Sequence, residues 1–170
     1  MKEMMQLMAK YNKEANAQMI AALDRLDEEA LYKDMGLYYK SIIGTLAHYT
    51  MGDILFFKNY FAPLCANAPK GSKIEAMLEQ DFSLKSEIID NANNMFSARE
   101  EIDEYIIAVI DGLSDFGAMK TFAFPWGEMS KPLYQFVWGA LNHATHHRGM
   151  IAATLDMLKV ENDFNGALGV

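Results

Sequence analysis

Along residues 3–26 apolar side chains recur at steps of three and four, at Met4, Met8, Tyr11, Ala15, Met19, Ala22 and Leu26. That period predicts a helix with one buried stripe. Asp27 then offers an N-cap for a short turn through Glu28, Glu29 and Leu31, which Gly36 can stop. A second helix is predicted from about Leu37 to Phe61. It is apolar on nearly every side, with Ile42, Ile43, Leu46, Tyr49, Ile54, Phe56, Phe57 and Tyr60, so it needs partners on several faces, a subunit interface among them.

Residues 62–72 carry two prolines and a glycine and read as a loop. From Ile74 a minor helical segment leads to a third long helix with the stripe Ile88, Ala92, Met95, Ile102, Ile106, Val109 and Leu113. Arg99 stands in register inside that stripe and has two readings. Its guanidinium either snorkels out to water or enters a polar pocket and holds an anionic substrate group. Gly112, Ser114 and Gly117 end the helix, and the crossover from Phe116 to Met129, with Phe122, Phe124 and Trp126, is too apolar to stand in water. Ser130 and Pro132 mark the start of a fourth helix that runs to about Lys159 and carries Phe136, Ala140, His143, His147, Met150 and Thr154 on one side. Residues 161–170 read as an irregular tail. With no run of strands and no internal repeat, the predicted fold is all-α: an up-and-down four-helix bundle with a long aromatic crossover before the last helix, one domain over residues 1–170.

Composition narrows the partners. A chain of 170 residues with 51% hydrophobic content supports one core. Fifteen Lys and Arg against 23 Asp and Glu give a net charge of -8, which repels a phosphate backbone, so no nucleic-acid partner is expected. The longest stretches without Lys, Arg, Asp or Glu, Ser41 to Gly52 and Pro132 to His147, fall short of the roughly 20 apolar residues of a membrane-spanning helix. The opening Met-Lys-Glu-Met-Met-Gln has no apolar targeting segment, so a cytoplasmic, membrane-free protein is expected. Cys65 is the single cysteine and reads as incidental.

The candidate chemistry lies in the histidines. His143 and His147 differ by roughly 40° around a helix axis and about 6 Å along it, so their rings overlook one spot, as metal ligands do. Ala144 stands where a zincin has its glutamate, and Thr45, Ala140 and Ala144 stand where a ferritin-like site needs glutamates, so neither chemistry is supported. What remains is a mononuclear site of three imidazoles, if His48 arrives from the second helix. His146, about 60° from His143 on the other side, is an alternative to His147. Gly44, Thr45, Met51 and Gly52 surround His48, and Gly139 and Ala140 flank His143; these mostly small residues leave volume for a pocket that Met51, Met150 and the Phe122–Trp126 loop could wall. Asp53 is about 140° from His48 and falls outside the site. No general base, and so no catalytic residue, is assigned.

The chain resembles the DinB-like superfamily, also described as DinB/YfiT-like metalloenzymes. The resemblance is carried by Tyr11-Asn12 with Ala15-Asn16 in helix one, by His48 in helix two, and by His143-Ala-Thr-His-His147-Arg-Gly in helix four, and it covers nearly the whole chain. It implies a four-helix bundle, a homodimer, and one divalent metal ion held by His48, His143 and His147. His146 then becomes a flanking residue. The family signature usually continues with glutamine where this chain has Met150. Three neutral nitrogens suit zinc, nickel, iron and copper alike. The resemblance further implies a metal-dependent enzyme, a thiol-dependent transferase or a hydrolase, acting on a small molecule such as a low-molecular-weight thiol. The alternative is a non-catalytic metal- or ligand-binding protein of stress response.

Overall fold

A computed structural model describes residues 1–164. Four long helices form a closed ring of neighbours: α1 (Lys2–Leu23) packs on α6 (Ala92–Gly112) and α7 (Leu133–Met157), and α3 (Ile42–Ile54) packs on the same two from the other side. Shorter helices α2 (Glu28–Tyr32), α4 (Ser72–Ala76) and α5 (Ser86–Ile89) fill the connections. Three helix starts are set by side chains that accept an otherwise unpaired amide: Asp27 from Ala30, Ser41 from Gly44 and Asn91 from Asn94. The second long helix begins at Ile42, later than its apolar pattern predicts, because residues 37–40 form a tight turn and Ser41 caps the helix after it. Beyond Ile54 it widens into a π-helical stretch, Leu55–Phe61. Among the described residues no helix is long and apolar enough to cross a membrane. The tail read as irregular lies, from residue 165 onward, outside the described residues.

The fold is not the pure all-α bundle that the helical periodicities predict. The aromatic crossover folds into a two-stranded antiparallel sheet, β1 (Met119–Phe124) and β2 (Gly127–Pro132), with Phe122 opposite Met129 and Phe124 opposite Gly127. Alternate strand residues share a face. Phe122 and Phe124 therefore turn together onto Phe56, Tyr60 and Phe136, while Thr121 and Ser130 pair on the outer face. Gly127, at φ +133°, follows the two-residue Pro125–Trp126 connection. The hairpin covers the aromatic end of the second long helix, so its apolar circumference is satisfied within the chain and does not itself call for a subunit interface.

Helix α1 buries a face centred about one residue away from the predicted stripe. Ala15, Met19 and Ala22 of that stripe are buried, but Met5, Ala9, Asn12, Asn16 and Leu23 face inward as well, whereas Met4 is 58% exposed. Asn12 and Asn16 are tolerated there because a buried polar network satisfies them. Both donate to the Asp103 carboxylate at 2.9–3.1 Å. Arg99, completely buried, donates to both oxygens of Asp103 at 2.9 and 3.2 Å and to Asp53 at 2.7 Å. On the opposite side Arg148 donates to Asn12 and Asn16 at 2.6 and 3.0 Å, and Tyr49 donates to Asn16 at 3.0 Å. Arg99 thus neither snorkels to water nor faces a substrate. Burial pulls its guanidinium down, but Asp103 and Asp53 outweigh that and hold it above its ordinary range. Burial also pushes Asp103 up to about 6, against the pull of Arg99 and the amide of Asn16.

Removing one partner of such a pair strands the other charge in the core. Arg99→Met is expected to cost about 3–5 kcal/mol, read as a lower urea midpoint by circular dichroism; a change within about 0.5 kcal/mol, the usual surface effect, would show that the network does not hold the helices together.

Candidate metal centre

His48 comes from the middle of α3, and His143 and His147 from successive turns of α7, the helix packed against it. Each offers one ring nitrogen, and the three nitrogens lie within 4.8 Å of one another. The Nε2 atoms of His143 and His147 are 3.0 Å apart, and the ring centroids of the three residues are separated by 4.4–5.3 Å. Two nitrogens on one ion at about 2.1 Å are at most about 4.2 Å apart, and the His143–His147 pair is already within that reach. His147 is buried and the other two are half-buried. His146 is exposed, its ring 4.9 Å from that of His147. Among the described residues the cluster holds no carboxylate or thiol.

All three imidazoles are held below the usual histidine range. Loss of solvent is the main cause for each; His143 adds repulsion at His48, His146 adds it at His143, and His147, facing all three others, is pushed down to about 4. Neutral imidazole is the form that ligates metal. The Nδ1 atoms of His143 and His147 are buried without a hydrogen-bond partner, and such an orphaned group costs about 1–3 kcal/mol. Three convergent imidazoles held in the neutral form fit a divalent cation.

Local backbone features hold the rings. A Cβ at Gly52 would come within 3.1 Å of the His143 ring, so the glycine gives that imidazole room. Gly44 serves a different purpose: the Tyr39 carbonyl oxygen occupies the space a side chain there would need. The turn this admits is strained, with Lys40 at φ +67°, and it lays Tyr39 over His48 with the rings 3.8 Å apart and the hydroxyl 2.9 Å from Nε2. Sequence reasoning misses Tyr39, because nothing in its spacing links it to a histidine; the glycine at 44 and the cap at Ser41 are the only local signals.

Beside His143 opens a cleft of about 280 Å³ between the hairpin and α7, lined by Phe56, Phe124, Trp126, Met129, Phe136 and Gly139 among others. The aromatic crossover does wall it, with Gly139 and Ala140 as floor. The other residues expected to line a pocket at the histidines are not in the lining of this cleft, although Gly52 does stand against the His143 ring. Thr45 is fully buried and donates to the Ser41 carbonyl, Arg99 belongs to the ion network, and Gly44, Met51, Gly52 and Met150 do not line this cleft. Lys131 and Gln135, which no motif marked, do. Asp53 is held by Arg99, outside the site.

Residues 1–161 match the family model described as the DinB family. No curated protein matches the sequence.

A histidine with a depressed pKa takes up its proton in the unfolded chain first, so stability is full above the unfolded value of about 6.5 and falls as pH drops toward the folded one. The metal-free protein is expected to lose stability from about pH 6.5 down to about 4, the folded value of His147, and His147→Gln should flatten that slope. Urea midpoints across this range check it; identical slopes for the two proteins would contradict the assignment.

Proposed function

The chain belongs to the DinB family, and from that premise we propose that it is a mononuclear metal-dependent enzyme whose ion is held by His48, His143 and His147. The observation that carries the reading is the convergence of three neutral ring nitrogens within 4.8 Å from two packed helices. A divalent ion in that set, zinc, nickel or iron, retains its full positive charge and supplies Lewis-acid polarisation and a lowered pKa for a bound thiol. The protein's own contribution is positional. Gly52 and the α3–α7 contact aim the imidazoles, Tyr39 places a hydroxyl beside His48, and the aromatic cleft next to His143 excludes water from an apolar substrate. Thiol-dependent transfer or hydrolysis are the reactions this set favours, on a small molecule with an apolar body. We take residues 1–170 as one domain serving that site.

The second reading is a metal- or ligand-binding protein without turnover. The observation in its favour is the lack of a carboxylate among the described residues of the cluster, which leaves no obvious general base. Turnover of a thiol with an electrophile by the metal-loaded protein separates the two.

Elemental analysis of the purified protein is expected to give one divalent ion per chain after incubation with zinc, nickel or ferrous iron. His48→Ala and His147→Ala should each weaken metal affinity by at least about 100-fold, since each removes a direct ligand. Retention of wild-type affinity by both variants would refute the three-histidine site.

We also infer a homodimer. Its support is the apolar side of α1, where Met4 and Leu7 are 58% and 47% exposed, next to a groove of about 270 Å³ shared with Leu141 on α7. Sedimentation should give twice the 19.2 kDa chain mass; a concentration-independent monomer would exclude it, and Leu7→Lys should dissociate it.

A further inference from the structure

We propose that the cleft between the hairpin and α7 is a binding site for a small, flat organic carboxylate, its anionic end held by Lys131 and Lys120 and its other end reaching His143. The inner end of this inference rests on the metal reading; the anion seat and the apolar body do not.

The register of the hairpin sets Lys120 directly opposite Lys131, and both lie on the face that carries Phe122, Phe124 and Met129. Like charges directly opposite one another destabilise a strand pair. No ion pair relieves either lysine among the described residues. Lys131 itself lines the cleft, as does Gln135 in the first turn of α7, whose amide donates to the Tyr134 hydroxyl. An anion between the lysines would cancel their repulsion and turn an unfavourable pair into a seat.

The walls define the body of the ligand. Phe124 and Trp126 stack with centroids 5.0 Å apart and planes within 2° of parallel, which presents a flat aromatic wall. Trp126 is 62% exposed although it is the largest apolar group on the hairpin, and a planar ligand would cover part of it. Across from it, Gly139 and Ala140 keep the floor low, and a Cβ at Gly139 would meet no atom within 4 Å. The volume of about 280 Å³ is at the lower end for small-molecule pockets and suits a single ring with short substituents. His143 lines the cleft too, eight residues along α7 from Gln135, so a ring with a carboxylate at one end and a metal-seeking group at the other suits it.

Three probes dissect this by calorimetry: 4-(mercaptomethyl)benzoate, benzyl mercaptan without the carboxylate, and 4-methylbenzoate without the thiol. The first is expected to bind the zinc-treated protein most tightly. The double variant Lys120→Met/Lys131→Met should weaken both carboxylates by about five-fold or more, the scale of two solvent-exposed charge contacts, and leave benzyl mercaptan unchanged. Gly139→Leu places a side chain in the open cleft, removes a helix-weakening glycine, and should weaken all three probes by at least about ten-fold with metal content unaltered. Metal-free protein should still bind 4-methylbenzoate with the same sensitivity to both variants. Failure to retain metal would overturn the metal reading while leaving this last result intact. Binding of 4-methylbenzoate that ignores Gly139→Leu or the lysine substitutions would overturn the carboxylate site whatever the metal result.

Discussion

Every long helix contributes to one buried set of charges and amides: Asn12 and Asn16 from α1, Tyr49 and Asp53 from α3, Arg99 and Asp103 from α6, and Arg148 from α7. Two arginines and two aspartates in the core are costly to desolvate, and only one mutual arrangement satisfies nearly all of their donors and acceptors. That arrangement sets how each helix is rotated about its own axis. The consequence reaches the histidines directly. Tyr49 is the residue after His48, and Arg148 the residue after His147, so turning the network residues into the core points the preceding imidazoles about 100° away, into the seam between α3 and α7.

The seam is a place where ordinary packing rules are suspended at identifiable atoms. Two imidazole nitrogens lie 3.0 Å apart, their other ring nitrogens are orphaned, Lys40 takes a left-handed backbone conformation, and two glycines stand where a Cβ would collide with Tyr39 or crowd the His143 ring. Each feature alone is a small cost. Together they hold three rings close to one another, with a tyrosine hydroxyl against one of them and no carboxylate in the cluster among the described residues. Burial favours the unprotonated form of each ring, which is the state a cation requires.

The hairpin completes this arrangement from outside. By widening into a π-helical stretch after Ile54, the second long helix turns Phe56, Tyr60 and Phe61 toward Phe122 and Phe124. The same aromatic cluster that anchors the hairpin therefore forms one wall of the cleft beside His143. Support for the fold and enclosure of the site are one set of contacts.

Local period determined much of this in advance. The four long helices, the Asp27 cap, the loop after Phe61 and the start of the last helix are legible because 3.6-residue spacing and capping chemistry act over a few residues. The pairing of His143 with His147 is legible for the same reason; His48 is the candidate third imidazole on the second helix, and the resemblance names it as a ligand. The strands were legible in principle: Lys120, Phe122 and Phe124 alternate with period two, but Pro125 and Gly127 break the run so soon that it reads as a loop. What no local pattern encodes is which polar residues point inward. Asn12, Asn16 and Arg148 look like surface residues until partners from other helices arrive, and Arg99 stands in a buried stripe that does not say what it meets; the rotation of α1, the isolation of Arg99 from the cleft, and the fold of Tyr39 over His48 all depend on those partners. Tertiary structure decided them because the free energy that settles a buried polar side chain lies in hydrogen bonds to residues tens of positions away, which sequence spacing cannot express.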